Sequence, residues 1–590
     1  MSTKERSNIP SVICALMASL TTGGTTYAFG FYGNTLKKTL DLTQGQIGAI
    51  STSFFCAGLF SWIPGLCADK LGTKFSIALG GCLGAASLLE FWAVSRQFVI
   101  IERQFLVPLL SVLSVMIFLS NAMVTGSVFK IIAATCGPGS KGSAVGIAKG
   151  YVGLGAAMYG GLFESLRQRN QSDLDFIPMA AFFAIVCAVL PAVTVLPTKQ
   201  QVDSTSFEDN LTPLHFRILF CSLITMAILV AGSSLLSLFQ EDADAYDGND
   251  GSSDDLGPNY GMFFVLVTVW LAPIVALRYI PTSPTSDGVE LTIIDEMDEE
   301  EHDEEGNFRP TTSRTDLKVS RETDAEDCQS HSEEHDTLLR AEDQVNLNTE
   351  ITRKPILGED MNLYQMLQTP TALLMLWTTT ILVGSGTVET NNMGEMVEAL
   401  GLAKSVGPAS MTLFSVAQCA SRVLTGVISE SALQWNVRGF GIEKGIPRPM
   451  FLVFASILGF TAHLTLGFAR NKLFFVLGAA LSGGAFGMVW PMLVLVTGEL
   501  FGTGNVGANY MFFDGFTSAT GTLFLSQIVA QRVYDKHIDA NSEDTTTCIG
   551  MVCFRQTHLI IAALIVSCMA TSLATVYASR HVYNKRLHSP

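Results

Sequence analysis

The stretch Gly65-Leu-Cys-Ala-Asp69-Lys70-Leu-Gly72-Thr-Lys74 decides the fold, because it forms a short polar turn between two long apolar runs. Each run, 46–68 and 74–94, contains the roughly 20 mostly apolar residues that a helix needs to cross a bilayer. Asp69 ends the first run beside two bases, where its carboxylate can latch onto the terminus of a neighbouring helix. Gly72 permits the tight turn. The stretch therefore predicts two membrane helices and a carboxylate that latches onto a third helix.

Apolar runs of this length recur along the whole chain. The 590 residues are 48% hydrophobic and only 15% charged, whereas a soluble domain carries about 25% charged residues. This composition predicts an all-α polytopic membrane protein and excludes a soluble enzyme. The fourteen predicted spans are 10–33, 46–68, 74–94, 105–129, 143–164, 176–197, 215–238, 259–280, 371–391, 408–429, 450–469, 473–497, 507–530 and 556–579.

The acidity of the chain belongs to one segment. The formal net charge is −17, and residues 281–360 alone hold 24 acidic and 7 basic side chains, so the remainder is neutral. Such a segment repels itself and is predicted to be disordered. It is interpreted either as a solvated linker or as a loop that holds cytoplasmic partners. Within it, Glu334 with Leu338-Leu339 matches an acidic dileucine signal, which indicates a vacuolar or endosomal membrane besides the plasma membrane.

An even number of spans places both chain ends on one side of the membrane. Putting the ends in the cytoplasm assigns 17 Lys and Arg residues to inner ends and short inner loops and 12 to outer ones, which favours this orientation. Cys548 and Cys553 lie in a polar loop and could form a local disulfide if that loop faces an oxidising side. Most other cysteines sit singly in apolar runs, so no metal or cofactor is expected.

A partial internal repeat divides the chain. The segment Gly426-Val-Ile-Ser-Glu430 repeats the Gly and the acid of the opening stretch after 361 residues. This spacing predicts two six-helix bundles that can rock about a central site. The expected domains are a first bundle at 1–200, two additional helices at 201–280, the acidic loop at 281–360 and a second bundle at 361–590.

The opening stretch resembles the signature of the major facilitator superfamily between its second and third helices. The segment 141–156 is similar to the fifth helix of the plant nodulin-like proteins of that superfamily, and residues of the second half follow the same order: Gly384, Thr387, Asn391, Asn392, Arg422, Gly426, Glu430, Arg448 and the run 498–502. The resemblance implies the major facilitator fold and a membrane transporter distantly related to monocarboxylate and oxalate/formate carriers.

Ionisable residues inside spans are costly and are therefore the first functional candidates. Arg422 with Gln418 one turn earlier resembles the eighth helix of monocarboxylate carriers, where an arginine meets the substrate carboxylate and an acid helps to couple protons. Here the acid is replaced by Gln418, and Arg422 could instead cap carbonyl groups or pair with Glu430. Lys149 is the second cation candidate, although its side chain could extend to the interface.

Two acids are the candidates for proton coupling, Asp514 and Glu389, with a structural salt bridge or a polar helix end as the alternatives. Further candidates for contact with the solute are Thr26, Tyr27, Asn121, Asn391, Gln418 and Glu389. His463 is interpreted as a helix-packing histidine. The carriers named above have a lysine in the first helix that this chain lacks there, which weakens a direct monocarboxylate assignment.

These observations predict a secondary transporter of a small solute, anionic because Arg422 and Lys149 are the inward cations. Its expected partners are the lipid bilayer, the solute and, for coupling, protons, with no nucleic acid. The alternative is a transporter-like sensor or scaffold that acts through the acidic loop. No catalytic constellation is present in the sequence, so an enzyme is not expected.

Overall fold

The computed structural model describes residues 6–26, 29–137, 139–168, 171–198, 207–208, 210–247, 259–280, 356–403, 406–537 and 548–587. Nearly all of the predicted acidic loop, 281–355, therefore lies outside the described residues. Helices account for almost all regular structure in the part that is described. A parallel pair of two-residue strands, β1 (Arg6–Ser7) and β2 (Phe207–Glu208), is the exception.

The described residues of the first half form nine helices. Short 3₁₀ turns precede α4 and α8, and a π-helical turn joins α8 to α9. The helices are α1 (Ile9–Thr26), α2 (Phe29–Thr39), α3 (Gln44–Cys56), α4 (Trp62–Leu71), α5 (Thr73–Ser95), α6 (Arg103–Thr135), α7 (Lys141–Leu166), α8 (Phe176–Ala184) and α9 (Leu190–Val195).

Two connecting helices and the second half follow. A π-helical segment, Thr522–Ala530, continues α17 into α18. The helices are α10 (Pro213–Asp247), α11 (Tyr260–Ala276), α12 (Leu363–Leu367), α13 (Pro370–Ala399), α14 (Val406–Ala432), α15 (Met450–Gly467), α16 (Lys472–Leu500), α17 (Val506–Gly521), α18 (Gln531–Lys536) and α19 (Val552–Leu587).

Many of these helices are suited to a membrane. Within the described residues, ten are long and apolar enough to cross it, and α3 with α4 makes an eleventh if this pair, bent by 46°, is one span. The other three predicted spans coincide with α1, α7 and α17, which are helical but do not meet the same criterion of length and apolarity. The all-α membrane fold is thus confirmed. The four domain limits given above remain a prediction.

Glycines set how closely the two halves approach. Gly72 has a φ of +92°, the conformation that lets the chain turn from α4 directly into α5. A Cβ on Gly65 of α4 would lie 2.3 Å from the carbonyl oxygen of Gly507 on α17. A Cβ on Gly426 of α14 would lie 2.6 Å from the carbonyl oxygen of Gly142 on α7. Both contacts join the first half to the second.

Candidate functional site

A polar pocket lies between the two halves. Its empty volume, including the part open to solvent, is about 430 Å³. Helices α1, α6 and α7 line it from the first half, and α14, α16 and α17 line it from the second. Its polar and aromatic lining residues are Thr22, Phe118, Asn121, Thr125, Lys149, Arg422, Trp490 and Asp514. The pocket therefore contains both predicted cations and one of the two predicted proton-coupling acids.

Lys149 binds an acid of the opposite half. Its side chain, on a residue only 2% exposed, places Nζ 3.2 Å from Oδ1 of Asp514 on α17. The same ammonium donates to the hydroxyl of Tyr510, which in turn donates to Asp514. Sequence reasoning missed Tyr510, although two signals point to it. It lies one turn before Asp514, and it follows Lys149 by 361 residues, the repeat spacing.

Aromatic rings surround the same ammonium. Nζ of Lys149 lies 4.6 Å from the ring centre of Phe129 and 4.9 Å from those of Trp490 and Tyr510. Each such cation–π contact contributes about 0.5–2 kcal/mol, with the larger values where water is excluded. Lys149 is thus held in the protein interior and does not extend to the interface.

Arg422 is fixed next to Lys149 by hydrogen bonds. It is 1% exposed; one Nη donates to the main-chain carbonyl of Lys149 at 3.0 Å and the other to Oε1 of Gln418 at 2.9 Å. The amide of Gln418 donates to the carbonyl of Gly153 on α7 at 3.3 Å. Arg422 therefore does cap a carbonyl group, as one alternative held. It also contributes to the pocket lining beside Trp490, whose ring centre is 5.7 Å away.

Two carboxylates connect the halves at one end of the bundles. Asp69, at the end of α4, accepts hydrogen bonds from the backbone N–H groups of Gly507 and Ala508 in the first turn of α17, at 3.3 and 2.8 Å. Lys130 on α6 pairs with the same carboxylate. A carboxylate at a helix N-terminus interacts favourably with the exposed N–H groups and the helix dipole. We call this contact the first latch.

Glu430 forms the second latch in the equivalent position of the other half. Its Oε2 accepts from the backbone N–H of Gly142 in the first turn of α7, at 2.9 Å, and from Arg448 at 2.7 Å. Arg448 also pairs with Glu499 at 3.0 Å. Burial alone lowers the pKa of Arg448, but the two carboxylates outweigh it and raise the pKa above its ordinary value.

Of the other predicted site residues that the structure describes, one lines the pocket and the rest do not. Asn121 lines the pocket and accepts from the hydroxyl of Thr25 at 3.0 Å. Tyr27 and the side chain of Thr26 lie outside the described residues. Asn391 is exposed and donates to Ser526 at 3.3 Å, away from the residues that line the pocket. Cys548 and Cys553 are joined by a disulfide.

Glu389 belongs to a separate cluster within the second half. It is fully buried with His463 of α15 and His558 of α19, and it is not among the described residues that line the pocket. Sequence reasoning missed His558 and interpreted His463 as a packing residue. No spacing could have found the cluster, because its three members come from three distant helices.

Two helical halves around a polar pocket in an apolar bundle form a multi-pass membrane protein with the major facilitator fold. That fold occurs in a double-tryptophan variant of XylE, which is 11% identical, has a TM-score of 0.50 and aligns over 96% of this chain and 95% of that chain. XylE of E. coli in a partially occluded inward-open conformation is 10% identical, with a TM-score of 0.48 over 95% and 97% of the two chains.

Residues 11–245 match the family model described as Nodulin-like, so this part of the chain is similar to the nodulin-like proteins. The Arabidopsis thaliana protein NUCLEAR FUSION DEFECTIVE 4 is 20% identical over 587 residues, which is 95% of this chain and 87% of that protein. The fold is that of membrane transporters, a class of proteins that are not enzymes.

Proposed function

We propose that the protein is a secondary active transporter that carries a small carboxylate-bearing anion by alternating access. The observation that supports this proposal is the charge of the pocket between the halves. Lys149 and Arg422 bring two positive charges to it and Asp514 brings one negative charge, so these three lining residues together carry a net positive charge. A charge inside a membrane protein is costly, so a pocket with a net positive lining favours an anionic ligand.

The Lys149–Asp514 pair gives the solute a way to bind. A solute carboxylate that enters the pocket competes with Asp514 for the ammonium of Lys149, which is already desolvated and held by three aromatic rings. The guanidinium of Arg422, fixed by two hydrogen bonds, presents its charge from the neighbouring helix. Charge-assisted hydrogen bonds of this kind are roughly twice as strong as neutral ones.

Asp514 is the group we assign to proton coupling. When it binds a proton, its attraction for Lys149 falls and the ammonium becomes available to the solute carboxylate. Proton and anion would then bind together and leave together, which is the requirement for symport. Glu389 lies outside the described pocket lining, so the proposal routes coupling through Asp514 alone.

The two latches support alternating access. Both connect the end of a helix in one half with the start of a helix in the other, and both lie at the same end of the bundles. Breaking them would let that end open while the opposite end closes. In the proposed orientation this end faces the cytoplasm, as do both termini, and the membrane is the plasma membrane or a vacuolar or endosomal one.

An uptake assay in liposomes tests the proposal. A panel of anionic, neutral and cationic solutes is offered to the wild type, to Arg422→Ala and to Arg438→Ala, an exposed arginine that controls for loss of a positive charge. We expect Arg422→Ala to reduce the uptake of anions at least about tenfold, since a hydrogen bond to a charged group contributes about 1.5–3 kcal/mol. Arg438→Ala should transport normally. Full activity of Arg422→Ala on every transported solute would refute the anion site.

A pH gradient separates coupled from uncoupled transport in the same liposomes. If Asp514 carries the proton, an inward proton gradient should accelerate solute uptake by the wild type. Uptake by the Asp514→Asn protein should depend on the solute gradient alone. Equal acceleration of both proteins would show that Asp514 does not carry the coupled proton.

Deletion of residues 290–350 tests the role of the acidic loop. Uptake should remain intact if the loop is a linker, whereas a sensor or scaffold would lose its function.

A further inference from the structure

Glu389, His463 and His558 form a compact cluster that the proposed transport function does not use. They belong to α13, α15 and α19 of the second half and are 0%, 0% and 2% exposed. The two Nδ1 atoms lie 3.1 Å apart, and each lies 3.6 Å from Oε1 of Glu389. We call these three residues the Glu-His-His cluster.

The carboxylate of this cluster is left without ordinary partners. Neither oxygen of Glu389 has a hydrogen-bond partner among the described residues, and the same is true of Nε2 of His463. A buried carboxylate is costly unless it is hydrogen-bonded, paired or bound to a metal. The two Nδ1 atoms approach it at 3.6 Å, a spacing longer than a hydrogen bond.

The spacing of the three atoms matches the edges of a metal coordination shell. Zinc binds histidine nitrogen and carboxylate oxygen at about 2.0–2.2 Å, so two ligands at tetrahedral angles lie about 3.3–3.5 Å apart. The observed separations of 3.1, 3.6 and 3.6 Å bracket that value. Two imidazoles and one carboxylate form a donor set typical of zinc and other divalent first-row metals.

We propose that the Glu-His-His cluster binds a divalent transition-metal ion of the zinc class, through Nδ1 of His463, Nδ1 of His558 and Oε1 of Glu389. The metal charge compensates the buried carboxylate, and the three bonds tie α13, α15 and α19 together. Three protein ligands leave one coordination position for water or another small ligand. The proposal goes beyond solute transport and does not depend on it.

A second pocket borders one member of the cluster. It has an empty volume of about 290 Å³, including the part open to solvent, and its lining reaches from Gly550 and Met551 beside the disulfide to His558. Gly467 at the end of α15 allows the close packing there, since a Cβ on it would lie 3.3 Å from Cβ of His558. This pocket reaches His558 from the side of the disulfide loop and is separate from the pocket between the halves.

Zinc binding by the purified full-length protein in detergent tests the proposal. The protein is stripped with a chelator, and Zn²⁺ is titrated in competition with a chromophoric chelator. We expect about one tightly bound ion per chain and a higher melting temperature with zinc. Glu389→Gln, His463→Gln and His558→Gln should each weaken binding at least about tenfold. Glu398→Gln on the exposed face of α13 and His581→Gln, also exposed, should bind like the wild type.

Cobalt distinguishes this cluster from the cysteines of the chain. Co²⁺ bound by nitrogen and oxygen gives visible d–d bands without the intense thiolate charge-transfer band that cysteine ligation would add. Zinc binding that persists unchanged in all three cluster variants, or that is absent from the wild type, would overturn the proposal. The histidines would then be a hydrogen-bonded packing pair. Glu389→Gln keeps the shape of the side chain, so this variant should still fold. If it elutes as a monodisperse peak in size-exclusion chromatography, its weaker zinc binding is not caused by unfolding.

Discussion

Lys149 on α7 and Asp514 on α17 form an ion pair between the two halves, with Nζ 3.2 Å from Oδ1. The tyrosine that joins them, Tyr510, lies 361 residues after Lys149, so the lysine and the tyrosine occupy equivalent positions of the two repeats. The symmetric fold thus brings together two different side chains, one cationic and one neutral, at a single point of the interface. This asymmetry creates a charged site between two similar bundles.

The ion pair should show strong coupling in a double-mutant cycle. Asp514→Asn leaves the buried charge of Lys149 without its ion-pair partner, which typically lowers the free energy of unfolding by about 3–5 kcal/mol, and Lys149→Gln removes the same pair from the side of the half-buried Asp514. Replacing both should cost less than the sum of the single changes. Thermal unfolding of the four proteins in detergent measures this, and strictly additive losses would show that the two charges do not interact.

A carboxylate introduced next to Arg422 should weaken anion binding. The amide oxygen of Gln418 accepts a hydrogen bond from Arg422 at 2.9 Å. Gln418→Glu would therefore place a carboxylate oxygen within hydrogen-bond distance of the guanidinium. We expect the KM for an anionic solute to rise about tenfold at neutral pH, in line with about 1.5 kcal/mol. The KM should recover as the pH falls, because the protonated carboxyl group is neutral.

Gln418→Met is the matched control for that substitution, since it removes the amide without adding a charge. Its KM should not depend on pH over the range in which the Gln418→Glu protein recovers. Identical pH profiles for the two variants would contradict the assignment of Arg422 to the solute.

Crowding the contact between α4 and α17 should destabilise the protein. In Gly65→Ala the new methyl group would lie 2.3 Å from the carbonyl oxygen of Gly507, a backbone atom that cannot move aside alone. Such overpacking costs about 1–3 kcal/mol. Gly48→Ala is the control, because no atom lies within 4 Å of its added methyl group. The melting temperature should fall only in the first variant.

The first latch should protect the start of α17 from hydrogen exchange. Asp69→Asn removes the charge that holds the N–H groups of Gly507 and Ala508, so these amides should exchange about two- to thirtyfold faster, as expected for about 0.4–2 kcal/mol. Asp41→Asn, at an exposed pair with Arg103, should leave them unchanged. Unaltered protection of these amides in the Asp69→Asn protein would mean that the first latch does not stabilise the start of α17.

Reporter tags test the orientation that the charge distribution predicts. A tag within 240–258 should be reached from outside and a tag within 290–350 from the cytoplasm, because one predicted span, 259–280, separates them and the termini are placed inside. Accessibility to a reagent that does not cross the membrane measures this in intact and permeabilised cells. Two tags on the same face would show that the span count between them is wrong.

The sequence by itself determined the class of the protein. Apolar runs of about 20 residues predict membrane helices without any tertiary information, since backbone polar groups in lipid must be bonded within the helix. The turn at Asp69 and its repeat at Glu430 indicated the superfamily. The costly intramembrane charges Lys149, Arg422 and Asp514 were also recognisable, because a charge in an apolar run stands out.

Only the tertiary structure decided which of these groups meet. Lys149 and Asp514 are 365 residues apart, and the cluster of Glu389, His463 and His558 draws on three helices. A helix shows from its sequence that a residue is polar, but the direction in which that residue faces depends on how neighbouring helices pack. Glu389 and Asp514 look alike along the chain, and packing alone sends one into the second bundle and the other into the pocket between the halves.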